Sequence, residues 1–279
     1  VASKLSTIVV MRVIIMFFMA VSSLFIGAPA HAQDFSALKS TGRAQVIEVI
    51  TPYTVQLDNG QIVRLSGVHF PDYDAENPGE LSITALQILK DMLSRKEVRV
   101  FQTPKKDWGR ENRMGHALAH LQRVEDGLWV QGALLGIGLA QVKTSQRNPE
   151  MADNMYALEA DARADRLGIW AQSTILTPKE TEERIGDFVI VEGRIVSVAM
   201  NKNRLYMNFG GNWRDDFTVS IPPSDLKRFS QAGLDPLQWG GQVVRVRGTL
   251  ESYNGPAMEI NHPEAIMRIE PRPRADLPE

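Results

Sequence analysis

The chain contains no cysteine among its 279 residues. That excludes disulfide cross-links, thiolate metal sites, cysteine nucleophiles and a lipid-modified N-terminal cysteine. Stability must therefore come from packing alone. The chain also lacks an excess of charge of either sign. Its 31 lysines and arginines face 33 aspartates and glutamates, a formal net charge of −2. Total charge thus advertises no polyanionic partner. The balance repeats along the chain, with 15 basic and 17 acidic residues from Gly42 to Leu176 and 11 and 12 from Gly186 to Glu279. Neither part has the basic excess expected of phosphate binding.

What is present is an ordinary globular mixture, 43% hydrophobic and 23% charged, with length for two modest domains. The first segment stands apart. Lys4 and Arg12 precede an apolar run over residues 13–26, and Ala30-His31-Ala32 reads as a cleavage site before Gln33. This is the pattern of a signal peptide over residues 1–32, with Met11 an alternative start. The run is short for a membrane span, which needs about 20 apolar residues. The expectation is export to the periplasm or beyond, without stable membrane insertion after cleavage.

Residues 34–42 form a polar lead-in. Residues 44–50 and 54–57 read as strands, Asp58-Asn59-Gly60 as a hairpin turn and residues 61–68 as the return strand. Leu81, Ala85, Ile88, Leu89 and Met92 fall on one face of a helix over 81–93. Strands over 97–101 and 117–121 follow, then helices over 128–139 and 149–166. The order β-β-β-α-β-β-α-α is that of a five-stranded barrel with packed helices. A polar linker over 173–185 contains Pro178 and Glu180, Glu182 and Glu183. Five short strands then follow over 188–198, 204–209, 216–221, 243–250 and 257–260, with a helix over 223–231. These suggest a second, small closed barrel over 186–270, before a proline-rich tail over 271–279. The fold class is α+β.

Val63-Arg64-Leu65-Ser66-Gly67-Val68-His69-Phe70-Pro71-Asp72 resembles the active-site strand of the staphylococcal-nuclease-like (thermonuclease) family, written R-L-x-G-I-D-T-P-E. Residues 49–57 are similar to its V-I-D-G-D-T-I-x-L loop. Residues 112–121 resemble D-x-Y-G-R-x-L-A-x-V. The helix from Trp129 to Val142 and the closing Glu159 to Trp170 segment look like the family's last two motifs. The resemblance covers residues 43–171, within a domain placed at 43–172. It implies an OB-type barrel and hydrolysis of nucleic-acid phosphodiesters with one calcium.

The same resemblance assigns the chemistry residue by residue. Two family aspartates that hold calcium fall on Tyr53 and His69, the water-activating glutamate on Asp72, and the two phosphate-holding arginines on Arg64 and His116. Only Arg64 is unchanged. Calcium requires hard oxygen ligands, so a neutral phenol and an imidazole are poor replacements, and no calcium or other cofactor is expected to bind. Arg110 offers a rival register for the second arginine.

Three functions follow as expectations. The first is a nuclease fold without calcium-dependent cleavage, used for binding or structure, with nucleic acid or another exported protein as partner. The second is single-strand binding, through Lys105, Lys106, Arg110 and Arg113 and through aromatics Tyr206, Phe209, Trp213 and Phe217. The third is a remodelled phosphodiesterase in which Tyr53, Arg64, His69, Asp72 and His116 share one pocket able to bind a transition metal or phosphate.

Overall fold

A computed structural model describes residues 33–172, 174–212 and 215–269. The leader over 1–32, Trp213 and the tail over 271–279 lie outside these residues. Among the described residues no helix is long and apolar enough to cross a membrane.

The first lobe is built on alternation. β1 (Lys39–Thr51), β2 (Thr54–Leu57), β3 (Ile62–Leu65), β5 (Glu97–Gln102) and β6 (Ala117–Arg123) close a barrel in the order β1-β2-β3-β6-β5. β3 and β6 run parallel; the other ladders are antiparallel. Val46, Val55, Leu57, Val63, Val98 and Leu121 point inward and are fully buried. Three helices cover the barrel: α1 (Glu80–Leu93), α2 (Val130–Gly136) and α3 (Ala152–Ala164). A two-stranded ribbon, β4 (Gly67–His69) with β7 (Gln141–Lys143), lies beside it.

The polar lead-in is more ordered than its composition suggests. Phe35 is buried and stacks on Phe101 with ring centroids 4.3 Å apart, and meets Trp129 edge-on at 6.0 Å. One aromatic thus anchors a polar segment to the barrel.

The second lobe departs from the expected closed barrel. β9 (Phe188–Arg194), β10 (Ser197–Asn201), β11 (Arg204–Asn208), β12 (Thr218–Ile221), β13 (Val243–Thr249) and β15 (Pro256–Glu259) occupy the expected segments, with α4 over Pro223–Gln231. Short strands β8 (Ile175–Leu176), β14 (Glu251–Ser252) and β16 (Ile266–Arg268) add to them. They form two sheets, β10-β11-β12-β15-β14 and β16-β13-β9-β8, with no closed ladder. The reason lies at two bends. The chain turns at Ile195–Val196, where Ile195 N–H bonds Gln242 and Val196 N–H bonds Asn208, and again at Leu250. Ile195 and Leu250 are buried at these corners. Each long strand therefore serves one sheet and then the other. The succession nevertheless follows the first lobe, including a parallel pair, β12 with β15.

The segment read as a linker is folded. Ile175 and Leu176 pair in parallel with β9, and Pro178–Glu180 and Glu182–Arg184 form single 3₁₀ turns around the fully buried Thr181. The described residues from Phe35 onward make one compact unit.

Candidate functional site

Tyr53 sits in the tight turn between β1 and β2. Arg64 lies on β3, opposite Thr54 of β2, and its guanidinium carbon is 4.2 Å from the centre of the Tyr53 ring. A cation on the ring face is attracted by the ring quadrupole. Tyr53 also packs on Tyr73 at 5.1 Å and on Phe70 at 6.0 Å. The Tyr53 phenol, which the resemblance sets at the first metal position, is therefore part of an aromatic seat for the arginine.

His69 ends β4, opposite Gln141 of β7. Its ring meets Phe188, the first residue of β9, edge-on at 4.8 Å. The Lys143 ammonium lies 4.5 Å from the same Phe188 ring. Burial, followed by the positive charges of Lys143 and Arg64, lowers the His69 pKa to about 4, with Asp187 pulling weakly the other way. The imidazole is neutral at pH 7. Lys143 is itself pushed down by burial and by Arg64. His69, which the resemblance sets at the second metal position, thus packs in a seam between the lobes beside two cations, Lys143 and Arg64, whose charges oppose a divalent cation.

Asp72 has a different task. Its Oδ2 accepts from the N–H groups of Leu81 at 3.0 Å and Ser82 at 3.3 Å, and its Oδ1 accepts from Ser82 Oγ at 2.5 Å. The first turn of α1 has orphan N–H groups and a positive dipole end, and a carboxylate satisfies both. Gly79 makes this approach possible: a Cβ there would lie 2.3 Å from Asp72 Oδ2 and 2.7 Å from Asp72 Cβ. Asp72→Ala is expected to cost about 1–2 kcal/mol of stability, the usual worth of a lost helix cap, in denaturant unfolding. Gly79→Ala should lose a similar amount by displacing the carboxylate. A loss below about 0.5 kcal/mol in both would show that the cap carries no weight.

His116 stands just before β6. Its N–H donates to Asn112 Oδ1 at 3.0 Å and its carbonyl accepts from Asn112 N–H, closing a turn. No hydrogen bond, ion pair or ring contact among the described residues joins it to His69 or Asp72. Arg64 thus lies on the Tyr53 ring and close enough to His69 for its charge to act on the imidazole. Among the described residues no group of three His, Asp or Glu side chains is placed to hold a metal ion. A phenol and a neutral imidazole are not the hard oxygen donors that calcium takes.

The basic residues fall elsewhere. Arg110 donates through Nε to Thr103 O at 2.9 Å and through Nη2 to Pro104 O at 3.2 Å, so it braces its own loop. Arg147 stacks over Trp108 at 4.2 Å. A cavity of about 620 Å³ is lined by Lys106, Trp108, Arg110 and Arg147, and one of about 670 Å³ by Arg113, Arg147 and His262; both include Glu111. Lys105 is exposed beside them. Of the aromatics named from sequence, Phe209 and Phe217 are core residues 5.0 Å apart, whereas Tyr206 faces out of its sheet.

Sequence reasoning missed Lys143, Tyr73 and Phe188. Lys143 follows directly on the Ala140-Gln141-Val142 motif and was within reach. Phe188 belongs to the other lobe, and no spacing links it to His69.

Residues 62–172 match the family model described as Staphylococcal nuclease homologue. The chain thus contains a staphylococcal-nuclease-like domain, and its barrel is the closed five-stranded sheet. A search among curated proteins found no match.

Proposed function

We propose that this is an exported nuclease-fold protein whose barrel serves binding or structure and does not cleave nucleic acid with calcium. The observation that carries the reading is the use of Asp72. Both oxygens of the family's carboxylate position are held by the first turn of α1, so the group that would activate water is a helix cap. The neighbouring metal positions support it: a phenol seats Arg64, and a neutral imidazole packs on Phe188. Where groups act as a unit, the loss of one already removes most of the catalysis that the loss of all would remove. Export rests on the leader pattern of residues 1–32. We read the second lobe as an opened OB-type barrel, on its strand succession and its parallel β12–β15 pair.

Purified chain incubated with single-stranded DNA is expected to show no calcium-stimulated cleavage. Robust cleavage abolished by Arg64→Ala would overturn this reading.

A second reading, nucleic-acid binding, is favoured by one arrangement. Lys106, Arg113 and Arg147 surround two adjoining cavities beside Trp108. Oligonucleotide retention at low salt, lost as salt rises and weakened by Arg113→Ala with Arg147→Ala, would support it.

A further inference from the structure

Of the outer face of the five-stranded sheet in the second lobe, only Tyr206 enters the readings above. Its inward residues Leu205, Met207, Val219, Ile221 and Met258 are core. Alternation then sends Tyr206, Asn208, Thr218, Ser220 and Ala257 outward, and register aligns them in rows. Ala199 stands opposite Tyr206 and Tyr206 opposite Ser220, while Asn208 stands opposite Thr218 and Thr218 opposite Ala257. At one edge the β14–β15 turn rises as a wall carrying Tyr253, which is 66% exposed. The wall is fixed. Tyr253 N–H bonds Gly255 O at 2.9 Å, and Gly255 has φ +88° and packs so tightly on Asp215 that a Cβ would meet its carbonyl at 2.6 Å.

Together these make a groove. Two cavities of about 350 and 340 Å³ share Tyr206, Ser220, Tyr253 and Ala257. Each has the size of a small-ligand pocket, about 300–1,000 Å³. Alanines at 199 and 257 keep the floor low around the Tyr206 ring. Asn201 and Asn254 also line the groove. Arg204, opposite Asn201 in the ladder, is paired with Glu259 and donates to Ser220 Oγ at 3.3 Å, and Glu251 lines the same cavity. Among the described residues neither Tyr206 nor Tyr253 uses its hydroxyl in a hydrogen bond to protein, and neither Asn201 nor Asn254 uses its amide.

We propose that this groove binds a neutral oligosaccharide. Tyrosine offers an apolar ring and a polar tip, the match for a sugar ring with C–H faces and a hydroxyl rim. Side-chain amides and hydroxyls can each donate and accept, as sugar hydroxyls do. The charge argues against a polyanion. Among the described lining residues the one arginine is neutralised by Glu259, and Glu251 adds a further negative charge, which opposes a phosphate backbone. A peptide strand is disfavoured by position, because the groove crosses the face of the sheet, where backbone groups are already paired, and strand addition requires an edge.

The test is affinity electrophoresis of the full chain in native gels containing laminarin, mannan or dextran, with a short oligothymidylate in a parallel binding assay. The chain is expected to be retarded by at least one of the three glycans. Tyr206→Ala and Tyr253→Ala should each weaken that binding about tenfold, equivalent to about 1.4 kcal/mol. Tyr253 is exposed on its turn, so its substitution leaves the core untouched if Tyr206→Ala perturbs the sheet. Retardation by none of the glycans, or retardation unchanged in both variants, would overturn the proposal. So would oligothymidylate binding abolished by the two substitutions, which would assign the groove to nucleic acid.

Discussion

Replacing Arg247 with alanine is expected to destabilise the protein by about 3–5 kcal/mol, the cost of leaving one charge of a buried pair uncompensated. Arg247 lies on β13 of the second lobe and Glu159 on α3 of the first. Their side chains are 3% and 1% exposed. The guanidinium donates through Nη1 to Glu159 Oε1 at 2.9 Å and to Val142 O at 3.1 Å, and through Nη2 to Glu159 Oε2 at 2.5 Å. Glu159 Oε1 also accepts from Val142 N–H at 2.9 Å, and the Tyr156 ring lies 4.5 Å from the guanidinium carbon. Removing the arginine strands a carboxylate where water does not reach. Removing both charges is different: Arg247→Met with Glu159→Leu should recover most of the loss, because the desolvation penalty disappears with the pair. Denaturant unfolding of the single and double variants measures this. A loss under about 1 kcal/mol for Arg247→Ala would mean that the pair is solvated like a surface pair.

Acid is expected to unfold the protein well above the range where its carboxylates titrate. Three histidines are held neutral by burial. The His120 pKa is lowered to about 3, in a buried site where Trp129 Nε1 donates to its Nδ1 at 3.3 Å. The His262 pKa is lowered to about 4, with its Nε2 2.9 Å from Thr144 Oγ1 across the lobes. The His69 pKa is lowered to about 4 against Phe188. Each native pKa lies below the unfolded value near 6.5, so the unfolded chain binds more protons between these limits. The stabilising contribution is therefore present above pH 6.5 and is lost as pH falls from there through about 4. Discounted for the solvent that reaches His69, the three together should remove about 2–3 kcal/mol between pH 6 and pH 5. Calorimetry at pH 5.5 in buffers of different ionisation enthalpy should record an uptake of about three protons on unfolding, falling toward zero at pH 8. An unfolding temperature that stays flat from pH 7 to pH 5 would contradict the three assignments.

Much of the barrel was legible because its signals are local. The apolar face of α1 needs only the spacing of Leu81, Ala85, Ile88 and Leu89, and the β2–β3 turn needs only Asp58-Asn59-Gly60. Phe35 was not legible, since a single aromatic in a polar stretch has no period. The open second lobe was not legible either: five strands at barrel spacing do not reveal that Ile195 and Leu250 are corners. The contacts of the site residues were not legible. Nothing local to Pro71-Asp72 shows that this carboxylate accepts from the N–H groups of Leu81 and Ser82, nine and ten residues on. The seam was least visible, because Arg247 and Glu159 lie 88 positions apart and Arg247 carries no motif.

The parallel pairs carry a consequence for how the chain assembles. β3 must wait for β6, and β12 for β15, across an intervening helix in each lobe. Loop-closure entropy is therefore lost before those ladders return any hydrogen bonds. The hairpins β2–β3 and β10–β11 need only short loops and can form early. Folding is thus gated by the same kind of late, long-range joining twice over, and until each joining occurs a strand edge of β3 or β12 stands open to unwanted pairing.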